Sequence, residues 1–98
     1  MNKELVATIK VNVATKQAWA ERAIVALFER QTADEQAVSA TRENNKIGFN
    51  GVDAEILSSF AKQVLWGRKL SEKQLAIAFK KLPKYAKQLA TIAEEKAG

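Results

Sequence analysis

The sequence contains no cysteine and no histidine. The missing cysteines exclude disulfides and thiol nucleophiles, and the missing histidines exclude Ser-His-Asp triads and imidazole acid–base chemistry. Without either residue type, the usual zinc sites cannot be built. Asp53 and Glu55 stand too close in sequence to face each other on one helix, so they do not supply a carboxylate pair for a metal-dependent nuclease. We therefore expect a binding protein with no enzymatic activity, no metal and no cofactor.

Long apolar segments are also missing. The longest apolar run, Ala23 to Phe28, has six residues, against the roughly 20 that span a bilayer. The first residues lack the basic-then-apolar pattern of a secretion signal. A chain of 98 residues has the length of one domain. These features predict a single helical domain over residues 1–98, away from membranes and in the cytoplasm (that of a host cell, if a phage encodes it).

Apolar residues at helical spacing dominate the sequence from Thr15 onward. They predict an all-α fold, a small bundle of four to five short helices. Thr15 is predicted to be the N-cap of a helix that ends near Gln31. Residues 32–35 (TADE) match a capping box, in which the threonine hydroxyl and the glutamate satisfy each other's backbone amides. This motif predicts a new, short helix through about Ala40.

Residues 41–51 are the one clear predicted loop, because they include two glycines and three asparagines, which adopt left-handed conformations at little cost. Asn50 is predicted to cap the next helix, with Asp53 near the positive end of that helix. Gly67 is predicted to be the C′ residue that ends it. Residues 71–74 (SEKQ) match a second capping box and predict the start of the last helical run.

The first fourteen residues carry two patterns at once. Apolar residues occupy every second position from Leu5 to Val13, and β-branched residues are frequent, which favours a strand. Leu5, Ile9 and Val13 also stand four residues apart, which favours a helix. We prefer a helix that ends near Asn12, because no second strand is visible and a lone strand is unstable. In the strand alternative, the segment pairs with its copy in another chain and makes a homo-oligomer.

The sixteen basic residues outnumber the eleven acidic ones, for a net charge of +5. The excess lies in one part of the chain, since residues 60–90 carry eight basic groups and a single acid, Glu72. Residues 1–59 carry seven basic and eight acidic groups. Charge distribution informs on partners more than net charge does, and a basic segment of this kind is typical of a surface that binds phosphates.

A helical wheel places Lys73, Lys80, Lys84 and Lys87 within about 60° of one another. Like charges on one helix face repel, so a row of this kind is unusual for a face that is only solvated. Pro83 weakens the pattern, because it is predicted to kink or break the helix between Lys80 and Lys84.

Lysine attracts phosphate as a point charge, whereas base reading more often uses arginine. The row therefore predicts backbone contacts with DNA or RNA rather than sequence recognition. Phe49, in the predicted loop, either stacks on a base or anchors the loop to the core. Trp66 and Tyr85 flank the basic region, and each either stacks on a base or closes the core. The predicted phosphate contacts are Lys69, Lys73, Lys80, Lys84 and Lys87, with Arg42, Lys46, Lys62, Arg68 and Lys81 at the margins and Trp66 and Tyr85 as stacking candidates.

Four segments occur in a familiar order between residues 31 and 93. They are residues 31–36 (QTADEQ), 48–54 (GFNGVDA), 70–74 (LSEKQ) and 84–89 (KYAKQL). This order resembles a small helical module of phage and mobile-element proteins, which is often found beside helicase-like or other DNA-processing domains. The resemblance implies a phage-type setting near nucleic-acid metabolism.

The leading hypothesis from the sequence is thus a small, basic, non-enzymatic nucleic-acid-binding protein of phage or mobile-element type. The alternative is a protein-binding inhibitor or adaptor, such as a phage counter-defence protein of the anti-CRISPR type. Such a protein acts on a host nucleic-acid enzyme, and its basic surface then occupies the channel that the enzyme uses for nucleic acid.

Overall fold

The computed structural model describes residues 3–37 and 49–97. Within these ranges the chain is helical and contains no strand, which confirms the predicted all-α fold. The elements are α1 (Lys3–Thr15), α2 (Gln17–Ala37), α3 (Ala54–Leu65), α4 (Glu72–Lys81), a 3₁₀ turn (Leu82–Tyr85) and α5 (Ala86–Ala97).

The N-terminal segment is a helix, as preferred from the sequence. Ile9 and Val13 are buried at helical spacing, while Val11 between them is exposed. The burial therefore follows the four-residue pattern and not the alternating one. The helix runs on to Thr15, whose hydroxyl donates to the carbonyl of Val11 at 2.8 Å. Thr15 therefore ends α1, and its prediction as the N-cap of the following helix is wrong. The strand alternative, in which this segment pairs with its copy in another chain, does not apply, because the segment is helical.

The predicted break near Gln31 is also wrong, because α2 continues to Ala37. Residues 31–35 contain neither glycine nor proline, so nothing in them stops the helical hydrogen bonding. The match to a capping box is overridden by propagation of a helix that has already formed. The predicted helix end near Ala40, and the predicted loop up to residue 48, lie outside the described residues.

Both ends of α3 follow the sequence prediction. The Asn50 side chain accepts a hydrogen bond from the Asp53 backbone N–H at 3.0 Å, and its own carbonyl accepts from the Ala54 N–H at 2.9 Å. At the other end, Gly67 has a φ of +91°, a conformation that favours glycine. The Gly67 N–H donates to Val64 and the Arg68 N–H donates to Gln63, which completes a Schellman motif.

The last helical run begins with the predicted capping box of Ser71 and Gln74. Pro83 interrupts the α-helical pattern with a 3₁₀ turn, but the flanking residues Leu82 and Ala86 keep right-handed helical dihedral angles. Because proline has no N–H, it cannot donate to the carbonyl of Phe79 in the last turn of α4, and the chain takes a 3₁₀ turn there. Residues 72–97 therefore form α4, the 3₁₀ turn and α5 in direct succession.

The core is built from every helix, and α1 packs against α2, α4, α5 and the 3₁₀ turn while α3 packs on α2. None of the described helices combines the length and apolar character that a membrane crossing requires. The largest fully buried apolar side chains are Val13, Ile24, Leu27, Leu57 and Leu82.

Candidate nucleic-acid interface

Two of the predicted lysines and one predicted aromatic surround a buried carboxylate. The Asp53 side chain is 0% exposed. Lys84 Nζ lies 2.6 Å from one carboxylate oxygen, Lys81 Nζ lies 3.0 Å from the other, and the Tyr85 hydroxyl donates to the first at 2.7 Å. We call these four residues the Asp53 cluster. It joins the start of α3 to the 3₁₀ turn and the end of α4.

The Asp53 cluster shifts two pKa values. Burial alone raises the pKa of Asp53, but hydrogen bonds from Lys84, Tyr85 and Lys81 and the charge of Lys84 lower it from 3.8 to about 2. Burial, together with the bond to the charged Asp53 carboxylate, raises the pKa of Tyr85 from 10.0 to about 12 against the opposing effect of the Asn50 N–H. At neutral pH the carboxylate is therefore charged and the phenol is neutral.

Asp53 stands at the N-terminal end of α3, as predicted, but its side chain makes no capping bond to the helix. Asn50 instead satisfies that end of the helix, and its backbone N–H donates to the Tyr85 hydroxyl at 3.0 Å. Phe49 is buried with its ring 5.9 Å from that of Tyr85, edge to face, and its N–H donates to Gln31 at 2.9 Å. Phe49 thus anchors this stretch to the core.

Tyr85 is not available for stacking on a base, because it is 5% exposed and its hydroxyl and ring are both engaged. This corrects its prediction as a stacking residue. Lys81 and Lys84 remain 30% and 49% exposed in their side chains, yet each is paired with Asp53. The other lysines of the predicted row have no carboxylate partner among the described residues, and in this respect Lys81 and Lys84 differ from them.

Where α3 ends and the chain turns toward α4, exposed cations precede and follow an exposed aromatic residue. Trp66 is 84% exposed, and it lies between the exposed side chains of Lys62 at the end of α3 and Arg68 after the turn. Lys69 and Lys73 follow and are exposed as well. We call these five residues the Trp66 corner.

A network of amides, missed by sequence reasoning, holds the Trp66 corner in place. The side chains of Gln63 and Gln74 exchange two hydrogen bonds of 2.9 and 2.8 Å, and Gln63 also donates to the Lys69 carbonyl at 3.0 Å. The Glu21 carboxylate accepts from the Leu70 N–H at 2.9 Å. The end of α3, the turn and the start of α4 are therefore fixed to one another and to α2. The capping box marks Gln74 in the sequence, but no periodicity or motif marks Gln63 or Glu21.

A groove of about 540 Å³ runs along α3 to the Trp66 corner. Seven residues separate its acidic end from its basic end along the helix, which is a rise of about 10.5 Å. The acidic end holds Glu55, and the walls toward the basic end include Ser58, Ser59, Lys62, Trp66 and Arg68.

The remaining predicted contacts continue along the last helical run. Lys73, Lys80 and Lys87 are exposed. Lys73 and Lys80 lie on α4, seven residues and about 10.5 Å apart along the helix, and Lys87 lies on α5, beyond the 3₁₀ turn. Among residues 3–37 and 49–97, no carboxylate lies within ion-pair distance of Lys73, Lys80 or Lys87, or of the Trp66 corner. Arg42 and Lys46 lie outside the described residues. Nor does the described part of the chain contain a cluster of acidic residues that could hold a metal ion.

The fold and the site define a small all-α domain with a cationic surface, beside which the Trp66 indole is 84% exposed. No protein-family model, curated protein or solved structure matches the chain.

Proposed function

We propose that the chain is a small, non-enzymatic nucleic-acid-binding protein that contacts the phosphate backbone through the exposed cations of its C-terminal half. The contacts proposed are Lys62, Arg68, Lys69, Lys73, Lys80 and Lys87. The observation that carries the proposal is the division of the basic residues into those neutralised by Asp53 and those that have no carboxylate partner in the described structure. The resemblance of residues 31–93 to a phage-type module supports a phage or mobile-element setting.

The chemistry of this surface fits phosphate rather than base edges. Each lysine that neutralises a phosphate releases condensed counterions, so the attraction depends steeply on salt and little on sequence. Arg68 is the only arginine of the set, and a single guanidinium offers little for reading bases in a groove. We expect binding that distinguishes sequences weakly and falls as salt rises.

The direct test is charge reversal along the last helical run. We expect Lys73→Glu/Lys80→Glu/Lys87→Glu to lose at least tenfold in affinity for DNA or RNA at about 50 mM salt, where electrostatic binding is strong. Lys84 is left out, because a glutamate there faces the buried Asp53 and confounds binding with unfolding. The matched control is Lys3→Glu/Lys10→Glu/Lys16→Glu, which changes the net charge equally on and just after α1 and is expected to retain binding.

Failure of the wild-type protein to retain either nucleic acid at this salt overturns the proposal. A protein partner is then the alternative, and nuclease treatment of a host lysate separates the two functions. A stoichiometric protein partner that survives nuclease, captured by a chain that binds no nucleic acid, assigns the inhibitor or adaptor function instead.

A further inference from the structure

Trp66 carries the most exposed aromatic ring of the described chain, and its backbone is held in place by hydrogen bonds. A packed aromatic ring of this kind removes 150–250 Å² from water, whereas Trp66 is 84% exposed. Its backbone N–H is bonded to the carbonyls of Lys62 and Gln63, and the Schellman motif at Gly67 follows directly. A large ring that stays in solvent on a hydrogen-bonded backbone is accessible to a ligand, and binding orders one side chain rather than a loop.

The surroundings of the ring match the two parts of a nucleotide. An indole offers a flat apolar face, which suits the face of a base, and base stacking of this kind tolerates any sequence. Ser58 and Ser59 line the same groove as Lys62 and Arg68, and the hydroxyl and cationic groups of these residue types suit base edges and phosphates. An apolar protein surface or an acyl chain leaves those polar groups without partners.

We infer that the Trp66 corner selects single-stranded polynucleotide, with the Trp66 ring stacked on an unpaired base and Lys62 and Arg68 on neighbouring phosphates. The inference rests on the proposed function and adds its substrate class. In a duplex, both faces of each base are covered by the adjacent pairs, so a surface ring reaches a base only by unstacking a step, at several kcal/mol. A single strand offers free faces.

The groove also predicts where the strand lies. Its far end holds Glu55, which repels phosphate, while its near end holds Lys62, Trp66 and Arg68. The strand therefore crosses the basic end of the groove and continues toward Lys69 and Lys73. Glu55→Gln removes the repulsion, and we expect it to strengthen single-strand binding slightly.

The test uses Trp66 itself as the probe. Trp19 and Trp66 are the two tryptophans of the chain, so Trp19→Phe leaves Trp66 as the sole indole. We expect its fluorescence to be quenched by oligothymidylate and by oligouridylate, which compare DNA with RNA, and not by a duplex of equal length. In the wild-type background, Trp66→Ala is expected to weaken single-strand binding about 5- to 100-fold and duplex binding less than twofold.

Two variants separate the possible failures. Trp66→Phe keeps an aromatic face and is expected to retain most of the single-strand affinity, while Trp19→Ala is the control for loss of an indole elsewhere. Unchanged single-strand affinity in Trp66→Ala, with binding otherwise intact, overturns the inference and leaves the proposed function standing. Wild-type protein that binds neither strand form overturns the proposed function.

Discussion

The Asp53 cluster and the Trp66 corner differ in whether a carboxylate lies among their basic side chains. Each combines lysines with an aromatic ring in the basic half of the chain. In the cluster, a buried carboxylate neutralises Lys81 and Lys84, and Tyr85 is packed into the core. In the corner, none of the described carboxylates plays this part, and Trp66 stays in solvent. The placement of one acidic side chain therefore separates the lysines with a structural role from the exposed cations that we propose bind phosphate.

The largest expected effect follows from removing that carboxylate. Asp53→Asn takes both ion pairs from a fully buried site, and disrupting a buried pair typically costs 3–5 kcal/mol. Because Lys81 and Lys84 reach solvent and can relax outward, we expect the free energy of unfolding to fall by about 3 kcal/mol. Urea denaturation at pH 7 measures this. The control is Glu55→Gln, the same chemical change two residues along at an exposed position, which is expected to leave the urea midpoint unchanged. Equal midpoints for the two variants contradict a structural role for the cluster.

The second expected effect is a loss of stability at acidic pH. Asp53 has a pKa of about 2 in the folded chain against 3.8 when unperturbed. Because the folded pKa is depressed, the stabilisation is complete above pH 4 and is lost as the pH falls from about 4 to about 2. The shift corresponds to about 2 kcal/mol. Urea midpoints between pH 5 and pH 2 measure this loss, and Asp53→Asn is expected to show a smaller decline than the wild type. If the urea midpoints of the two proteins decline in parallel, the loss of stability in acid comes from groups other than Asp53.

The third expected effect is a loss of stability at alkaline pH. The pKa of Tyr85 is raised to about 12, so the neutral phenol stabilises the fold fully below pH 10 and progressively less between pH 10 and pH 12. Tyr85→Phe removes the hydroxyl bonds to Asp53 and Asn50, and we expect a loss of about 1–2 kcal/mol at pH 7. The variant also lacks this alkaline loss of stability. Thermal unfolding midpoints measured from pH 7 to pH 11 check both expectations. If Tyr85→Phe and the wild type lose stability equally at alkaline pH, the buried phenol does not have the stabilising role described here.

A smaller effect is expected at the turn that presents the Trp66 corner. Gly67→Ala forces a side chain into a left-handed conformation and is expected to cost about 1 kcal/mol, although nothing lies within 4 Å of the added methyl group. Gly51→Ala is the matched control, since Gly51 also has open space and no left-handed backbone. Thermal midpoints compare the two, and an equal response indicates that the φ of Gly67 carries no strain for alanine.

Local rules predicted the local features well. The capping box at Ser71 and Gln74, the cap at Asn50 and the glycine at position 67 each depend on a few neighbouring residues, and each is present. The same kind of signal failed at residues 32–35, because a growing helix overrides an internal capping motif, and at Thr15, whose hydroxyl bonds back along its own helix.

The division between the two regions depends on contacts that the helical wheel does not contain. Lys84 falls in line with Lys80 and Lys87 on the wheel, yet it pairs with Asp53 from another helix. The two aromatics were more accessible to sequence reasoning. Tyr85 stands three residues after Leu82 and four before Leu89, which is the spacing of the buried face. Trp66 follows the last residue of α3, next to a glycine that ends the helix, and it is exposed.

The measurement that tests the central claim most directly compares Arg68→Gln with Lys84→Gln. Each variant loses one positive charge, so the net charge is matched, and circular dichroism verifies that both are folded. Salt-series titrations with a single-stranded oligonucleotide are expected to show several-fold weaker binding for Arg68→Gln, with the slope of log K against log salt reduced by about 0.7. For Lys84→Gln we expect affinity within twofold of wild type and the same slope. The reverse order, with Lys84 dominating, contradicts the assignment of phosphate binding to the Trp66 corner.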